Sequence, residues 1–354
     1  MVGGRSRPST RRYLAGGRWS ETFVRLAIGA LAALCALVVL TPSIASIWRP
    51  TPRDVVWGVT YSPRFAQSLG LDPHAAYLAT IDDLGVRHVR FPVYWDEVER
   101  VPGQYDFTAL QWYLSEAQAR DTEIVLVVGY KQPRWPECYA PPWAADLPID
   151  RLRQHVLALV EAEVAVASRY PNVVMWQVEN EPFRRFGHCR TDLLTAEFIA
   201  EEIALVSRLD PRPTVMTDSG ELSTWIEAMR LSREYFGTVI YRQFHFDTIG
   251  RWEHPLPPWL YAGRDRLDRL LLQRDGQTIL IELQAEAWFQ GYALADIPPA
   301  EQQRQFPAKL LLRTNVEYGR RTGFPQIYLW GVEWWFWMER QGYPEYVEAA
   351  RTIF

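Results

Sequence analysis

The stretch WQVENEPF, Trp176–Phe183, decides how this chain is read. An apolar run, Val173, Val174 and Met175, leads into it and Pro182 stops it. A buried parallel strand has that appearance when it ends abruptly at a rim. Two carboxylates, Glu179 and Glu181, flank Asn180 there, and alternation along a strand sends both in the same direction.

Working outward, apolar runs of strand length alternate with longer amphipathic stretches. The runs are VVWGVTYS from Val55, HVRFPVYW from His88, EIVLVVGY from Glu123, VVMWQVEN from Val173, PTVMTDS from Pro213, TVIYRQF from Thr238, TILIEL from Thr278 and QIYLWGVEWW from Gln326. Alternation of this kind predicts βα units around a parallel sheet. Eight such strands in roughly 300 residues match the count and size of an α/β (β/α)8 TIM barrel. A doubly wound open sheet is the alternative, but no glycine-rich phosphate loop follows any strand. Between the strands, Asp72 offers an N-cap with Pro73 at the first helical position and Gly85 as a stop, and Pro307 should kink the helix from Pro299 onward. No linker, repeat or low-complexity segment interrupts residues 53–354, which read as one domain.

The front of the chain differs. Residues 1–25 carry six arginines against one acid, Glu21, and Leu26 to Trp48 carry no charge. Twenty-three uncharged residues are enough to span the roughly 30 Å hydrocarbon core of a bilayer as a helix. The expectation is a basic cytoplasmic tail (1–25), a transmembrane signal-anchor (26–48) and an exported barrel, by the positive-inside rule. A cleaved signal peptide is the alternative, since Ser43-Ile44-Ala45 offers a small-x-small site. The first 25 residues contribute a net +5, leaving −9 of the formal −4 to the remainder. So acidic a domain is a poor nucleic-acid partner and suits a neutral or weakly charged substrate. Cys35 lies in the apolar segment, and Cys138 and Cys189 lie outside it, where disulfides persist.

Asn-Glu-Pro at the end of a strand resembles the acid/base motif of the large clan of retaining glycoside hydrolases built on (β/α)8 barrels, with its cellulase-like, xylanase-like and β-galactosidase-like families. PGQYDF, Pro102–Phe107, resembles the turn that clan members carry before the second helix. The resemblance runs from strand one to strand eight and implies roles for individual residues. Glu181 would be the acid/base and Asn180 would hold the sugar 2-hydroxyl. Glu282, ending the apolar run TILIEL, is similar to the clan's strand-seven nucleophile, with Glu286 the alternative if the strand runs longer. Arg90 would keep that carboxylate ionised, and Tyr241 would hydrogen-bond it. His245 reads as a structural neighbour. The final strand, YLWGVEWWFW, resembles the clan's tryptophan-bearing strand and offers Trp330 and Trp334 as stacking platforms for sugar C–H faces. In such a barrel the loops after strands three and four adjoin, which predicts a Cys138–Cys189 disulfide beside Glu181.

Retention needs two carboxyls about 5–5.5 Å apart across the scissile bond. The leading expectation is therefore a membrane-anchored retaining glycosidase acting on an oligo- or polysaccharide, with no metal or other cofactor. A transglycosylase would use the same residues. A non-catalytic glycan-binding barrel would not need both carboxylates. A metal-dependent hydrolase lacks His-x-His or HExxH support, with six scattered histidines.

Overall fold

The computed structural model describes residues 28–30, 54–185 and 187–354. The expected basic tail at 1–25 and the expected membrane segment at 26–48, apart from 28–30, lie outside the described residues. Among the described residues no helix is long and apolar enough to cross a membrane.

The described residues form ten strands: β1 Val56–Thr60, β2 His88–Pro92, β3 Glu123–Val128, β4 Val173–Val178, β5 Thr214–Ser219, β6 Tyr235–Ile240, β7 Gln243–Phe246, β8 Gly250–Glu253, β9 Gln277–Gln284 and β10 Gln326–Trp330. Eight of them close into a parallel barrel in the order β1-β10-β9-β6-β5-β4-β3-β2, and β7 and β8 form a separate antiparallel hairpin. The strands are buried on both faces, which explains their near-continuous apolar sequence. Val125, Met175, Val215, Val239, Ile279, Ile281 and Tyr328 fill the barrel interior. Their alternates, such as Val89, Phe91, Trp176 and Val178, belong to the larger core under the helices. Asp72 caps the helix Pro73–Asp82 as expected, accepting from the Ala75 N–H at 2.9 Å.

Three expectations about element ends are corrected. The sixth barrel strand starts at Tyr235 and stops at Ile240; Tyr241 and Arg242 lie beyond it, and Gln243 and Phe244 belong to the hairpin. The last barrel strand stops at Trp330, because Gly331 at φ +127° turns the chain into the helix Val332–Arg340. Only glycine fits there, since a Cβ would lie 2.6 Å from that of Glu286. Pro307 does more than kink its helix: Pro299–Gln305 ends before it, and a π-helical segment at Leu310–Val316 follows.

Cys138, in the loop after β3, and Cys189, in the loop after β4, form a disulfide across 51 residues of chain. Replacing both by serine should lower stability by about 2–4 kcal/mol through the freed unfolded chain. Urea unfolding under non-reducing conditions measures this, and an unchanged midpoint would count against the bridge.

Candidate active site

The site begins with one buried cation. Val89 and Phe91 face the helices, so alternation turns Arg90 into the barrel, where it is fully buried. A guanidinium there needs acceptors for a planar fan of donors. Nε donates to Gln177 Oε1 at 2.7 Å, Nη1 to Glu282 Oε1 at 2.5 Å and Nη2 to Asn180 Oδ1 at 2.7 Å. With its oxygen held by Arg90, the amide nitrogen of Asn180 is turned away from the arginine.

Glu282 faces inward because strand pairing slips beside it. Thr238 lies opposite Leu280 but Val239 lies opposite Glu282, and the β10 side shifts as well. Ile279 and Ile281 already point into the barrel; the irregularity lets Glu282 do so too while Leu283 returns to the outer core. Re-aiming a side chain beside a site is a common use of such a bulge.

The end of β4 departs from alternation. Glu179 and Glu181 have φ of +58° and +42°, the left-handed region that crowds a Cβ against the following carbonyl. They do not point the same way. Glu179 turns towards the β3 loop, accepting from the Tyr130 N–H at 2.6 Å and from the Lys131 N–H. A Cβ on Gly129 would fall on that carboxylate. Glu181 keeps some exposure, and its N–H donates to Thr217 Oγ1 at 2.9 Å. Burial, then the negative charges of Glu282 and Glu137, push the Glu181 carboxyl up to about 8.

The backbone at Glu181 is held from the side. Lys131, fully buried, donates its Nζ to the carbonyls of Glu181 and Arg184, both at 2.9 Å, and pairs with Glu137 at 3.0 Å. Sequence reasoning missed it, although it is one of two lysines among 38 basic residues. Arg134 was missed as well. Its guanidinium meets Glu286 at 2.5 Å and Glu333 at 3.1 Å, and lies 3.5 Å from the Phe65 ring centroid and 4.0 Å from that of Trp330.

Solved structures sharing this barrel include an intracellular xylanase from Thermoanaerobacterium saccharolyticum JW/SL-YS485, 14% identical over 79% of this chain and 86% of that one, with a TM-score of 0.51. Another is an exo-beta-1,4-mannosidase from Opitutaceae bacterium strain TAV5, 16% identical over 79% of this chain and 52% of that one, TM-score 0.52. A third is endo-glycoceramidase II from Rhodococcus sp., 15% identical over 78% and 72%, TM-score 0.50. The likeness is one of fold. No protein-family model and no curated protein matches the chain.

Of the remaining expected site residues, Trp330 and Glu286 meet directly: the indole donates to Glu286 Oε1 at 2.7 Å. Tyr241 sits edge-on to Trp330 with ring centroids 6.4 Å apart. Burial, then Glu282 and Glu286, raise its phenol well above the ordinary value. It makes no hydrogen bond to Glu282 among the described contacts. Trp334 is not a pocket wall. It lies in the helix after Gly331, fully buried against Phe306 and Tyr346, with its indole donating to Gln302 at 2.6 Å. His245 packs on Phe289 and meets Gln305 at 3.2 Å, a structural setting.

Behind Glu179, Glu163 and Glu202 from two flanking helices are fully buried. Burial raises all three carboxyls, Glu179 to about 7 from an ordinary 4.5 and the other two well above it. The folded chain thus keeps protons that the unfolded chain releases. This contribution to stability is complete below about pH 4.5 and is lost as pH rises through the folded values. Glu202→Gln should flatten the decline of melting temperature between pH 5 and 8; a variant with the wild-type slope would refute the linkage.

Proposed function

We propose that the chain is a retaining glycoside hydrolase that cleaves O-glycosidic bonds of an oligo- or polysaccharide. Glu282 attacks the anomeric carbon while Glu181 protonates the departing oxygen. Glu181 then takes a proton from the water that attacks the same carbon and frees Glu282. The carrying observation is Arg90, which bonds Glu282 and Asn180, the neighbour of Glu181, through its two terminal nitrogens. Arg90 therefore ties the Glu282 carboxylate to the residue beside Glu181, in keeping with a site at the carboxyl end of the barrel, where barrel enzymes hold theirs. The fold neighbours' names, xylanase, mannosidase and endo-glycoceramidase, support a carbohydrate substrate.

Glu282 is preferred over Glu286 because both donors near Glu286, Arg134 and Trp330, converge on its Oε1. Its Oε2 is buried without a protein partner, which leaves it open to a sugar hydroxyl. Asn180 is assigned the sugar 2-hydroxyl, and Trp330 and Tyr241 the sugar face. Residues 26–48 are assigned as an anchor that leaves the barrel extracytoplasmic. The uncharged segment after a basic tail supports this, as does the disulfide, which fits an oxidising compartment.

A screen of aryl glycosides and polysaccharides should find turnover. Glu181→Gln should then lower it about 10²–10⁴-fold, the usual worth of general acid–base catalysis, and Glu282→Gln at least as much. Proton NMR should show the first-formed sugar with the substrate's anomeric configuration; an inverted product, or full activity in either variant, would remove the assignment.

The acid must start protonated, so kcat/KM should fall as pH rises through about 8. The fall should be absent from the residual activity of Glu181→Gln. A pH–rate profile with the same alkaline limb in both proteins would assign that limb to another group.

A further inference from the structure

The hairpin β7–β8 carries chemistry that the pocket does not use. Phe244 stands opposite Trp252 in the hairpin pairing, and Phe246 opposite Gly250, so alternation puts Phe244, Phe246 and Trp252 on one face. Trp288, from the loop after β9, joins them. Its ring centroid lies 5.2 Å from Phe244 and 5.6 Å from Phe246, and Phe244 lies 5.6 Å from Trp252. All four rings remain at least partly exposed, Trp252 to 41%. Contiguous exposed aromatic surface marks an interaction site more often than a packing fault.

Its position ties it to the pocket. Phe244 is three positions along from Tyr241 and Trp288 two along from Glu286, so the rings start no more than about 10 Å along the chain from two pocket residues. The platform is also fixed in advance: the His245 N–H donates to Trp288 O at 3.0 Å and the Gln290 N–H to His245 O at 2.9 Å. Charge decides between occupants. Arg242 pairs with Glu253, and Arg251 is balanced by Asp247, which leaves no basic excess to draw an anionic lipid surface.

We propose that Phe244, Phe246, Trp252 and Trp288 form a distal subsite that stacks the sugar chain extending beyond the bond being cut, making this a site for extended glycans. Pyranose rings present flat C–H faces to such rings and need no charge for it. The inference rests on the glycosidase reading of the pocket and deepens it.

The test uses the full chain carrying Glu282→Gln, with and without Trp252→Ala plus Phe246→Ala, in affinity electrophoresis through gels containing xylan, galactomannan or mixed-linkage β-glucan. Retardation by at least one glycan is expected, with apparent affinity lowered about fivefold or more by the ring substitutions, the scale of one lost aromatic contact. With glutamate restored, kcat/KM on the matching hexasaccharide should fall relative to that on the aryl glycoside. Circular dichroism melting checks that the exposed substitutions leave the fold intact. Lack of retardation by every glycan, or retardation indifferent to the ring substitutions, overturns the subsite. Ring-dependent pelleting with phosphatidylglycerol vesicles in place of glycan retardation also overturns it and assigns the rings to lipid. None of these outcomes depends on the glutamate variants losing activity, so a failure of the catalytic reading is seen separately.

Discussion

A fully buried guanidinium in the throat of a parallel barrel is a severe demand, and Arg90 meets it by organising everything around it. Removing such a charge from water costs several kcal/mol unless its donors are matched in good geometry. Arg90 has Gln177, Glu282 and Asn180 as close acceptors, contributed by β4, β9 and the turn after β4. The pair is weak evidence for stability, since an apolar filling would hold the barrel as well. It fixes register: an acceptor displaced by one residue would face the helices and leave an uncompensated charge at the centre.

The second constraint is backbone strain at the end of β4. Two non-glycine residues in the left-handed region cost of order 1–3 kcal/mol each and persist only where their surroundings over-determine them. Here the surroundings do. Glu179 N–H reaches Val128 O at 3.0 Å and Asn180 N–H reaches Lys131 O at 2.7 Å, while Lys131 Nζ takes the Glu181 carbonyl. The Glu179 carboxylate closes on the loop after β3, and the disulfide joins the same two loops further out. The loop after β3 therefore acts as a brace for the carboxylate on the neighbouring strand, which gives a physical reason for its length.

How much of this was legible follows from where period-two alternation holds. The eight barrel strands could be read because burial on both faces makes them apolar runs. Glu181 and Glu282 stood out because each follows an apolar run, although β9 continues past Glu282 to Gln284 instead of ending there. Beyond the last paired residue alternation says nothing, and there the reading failed. Glu179 and Glu181 are themselves left-handed and turn apart, and Gly331 sends Trp334 into a helix and the core. Gly331 was visible in the sequence, so that error was avoidable. Arg134 was not recoverable: it stands in an irregular loop at φ +81°, and its partners Glu286 and Glu333 come from chain 152 and 199 residues away. Lys131 carried only a compositional signal.

The placement of positive charge separates the carboxyls around the pocket. Arg90 spends a donor directly on the Glu282 carboxylate. Lys131, the nearest cation on the other wall, spends its hydrogen bonds on backbone carbonyls and its charge on Glu137. The Glu181 carboxyl is thereby left with burial and the charge of Glu282 as its dominant influences, both of which hold the proton on. Two identical side chains thus sit in different electrostatic settings, one bonded to a guanidinium and the other beside a carboxylate. Glu286 has a third setting, held by Arg134 and Trp330 while burial raises its carboxyl.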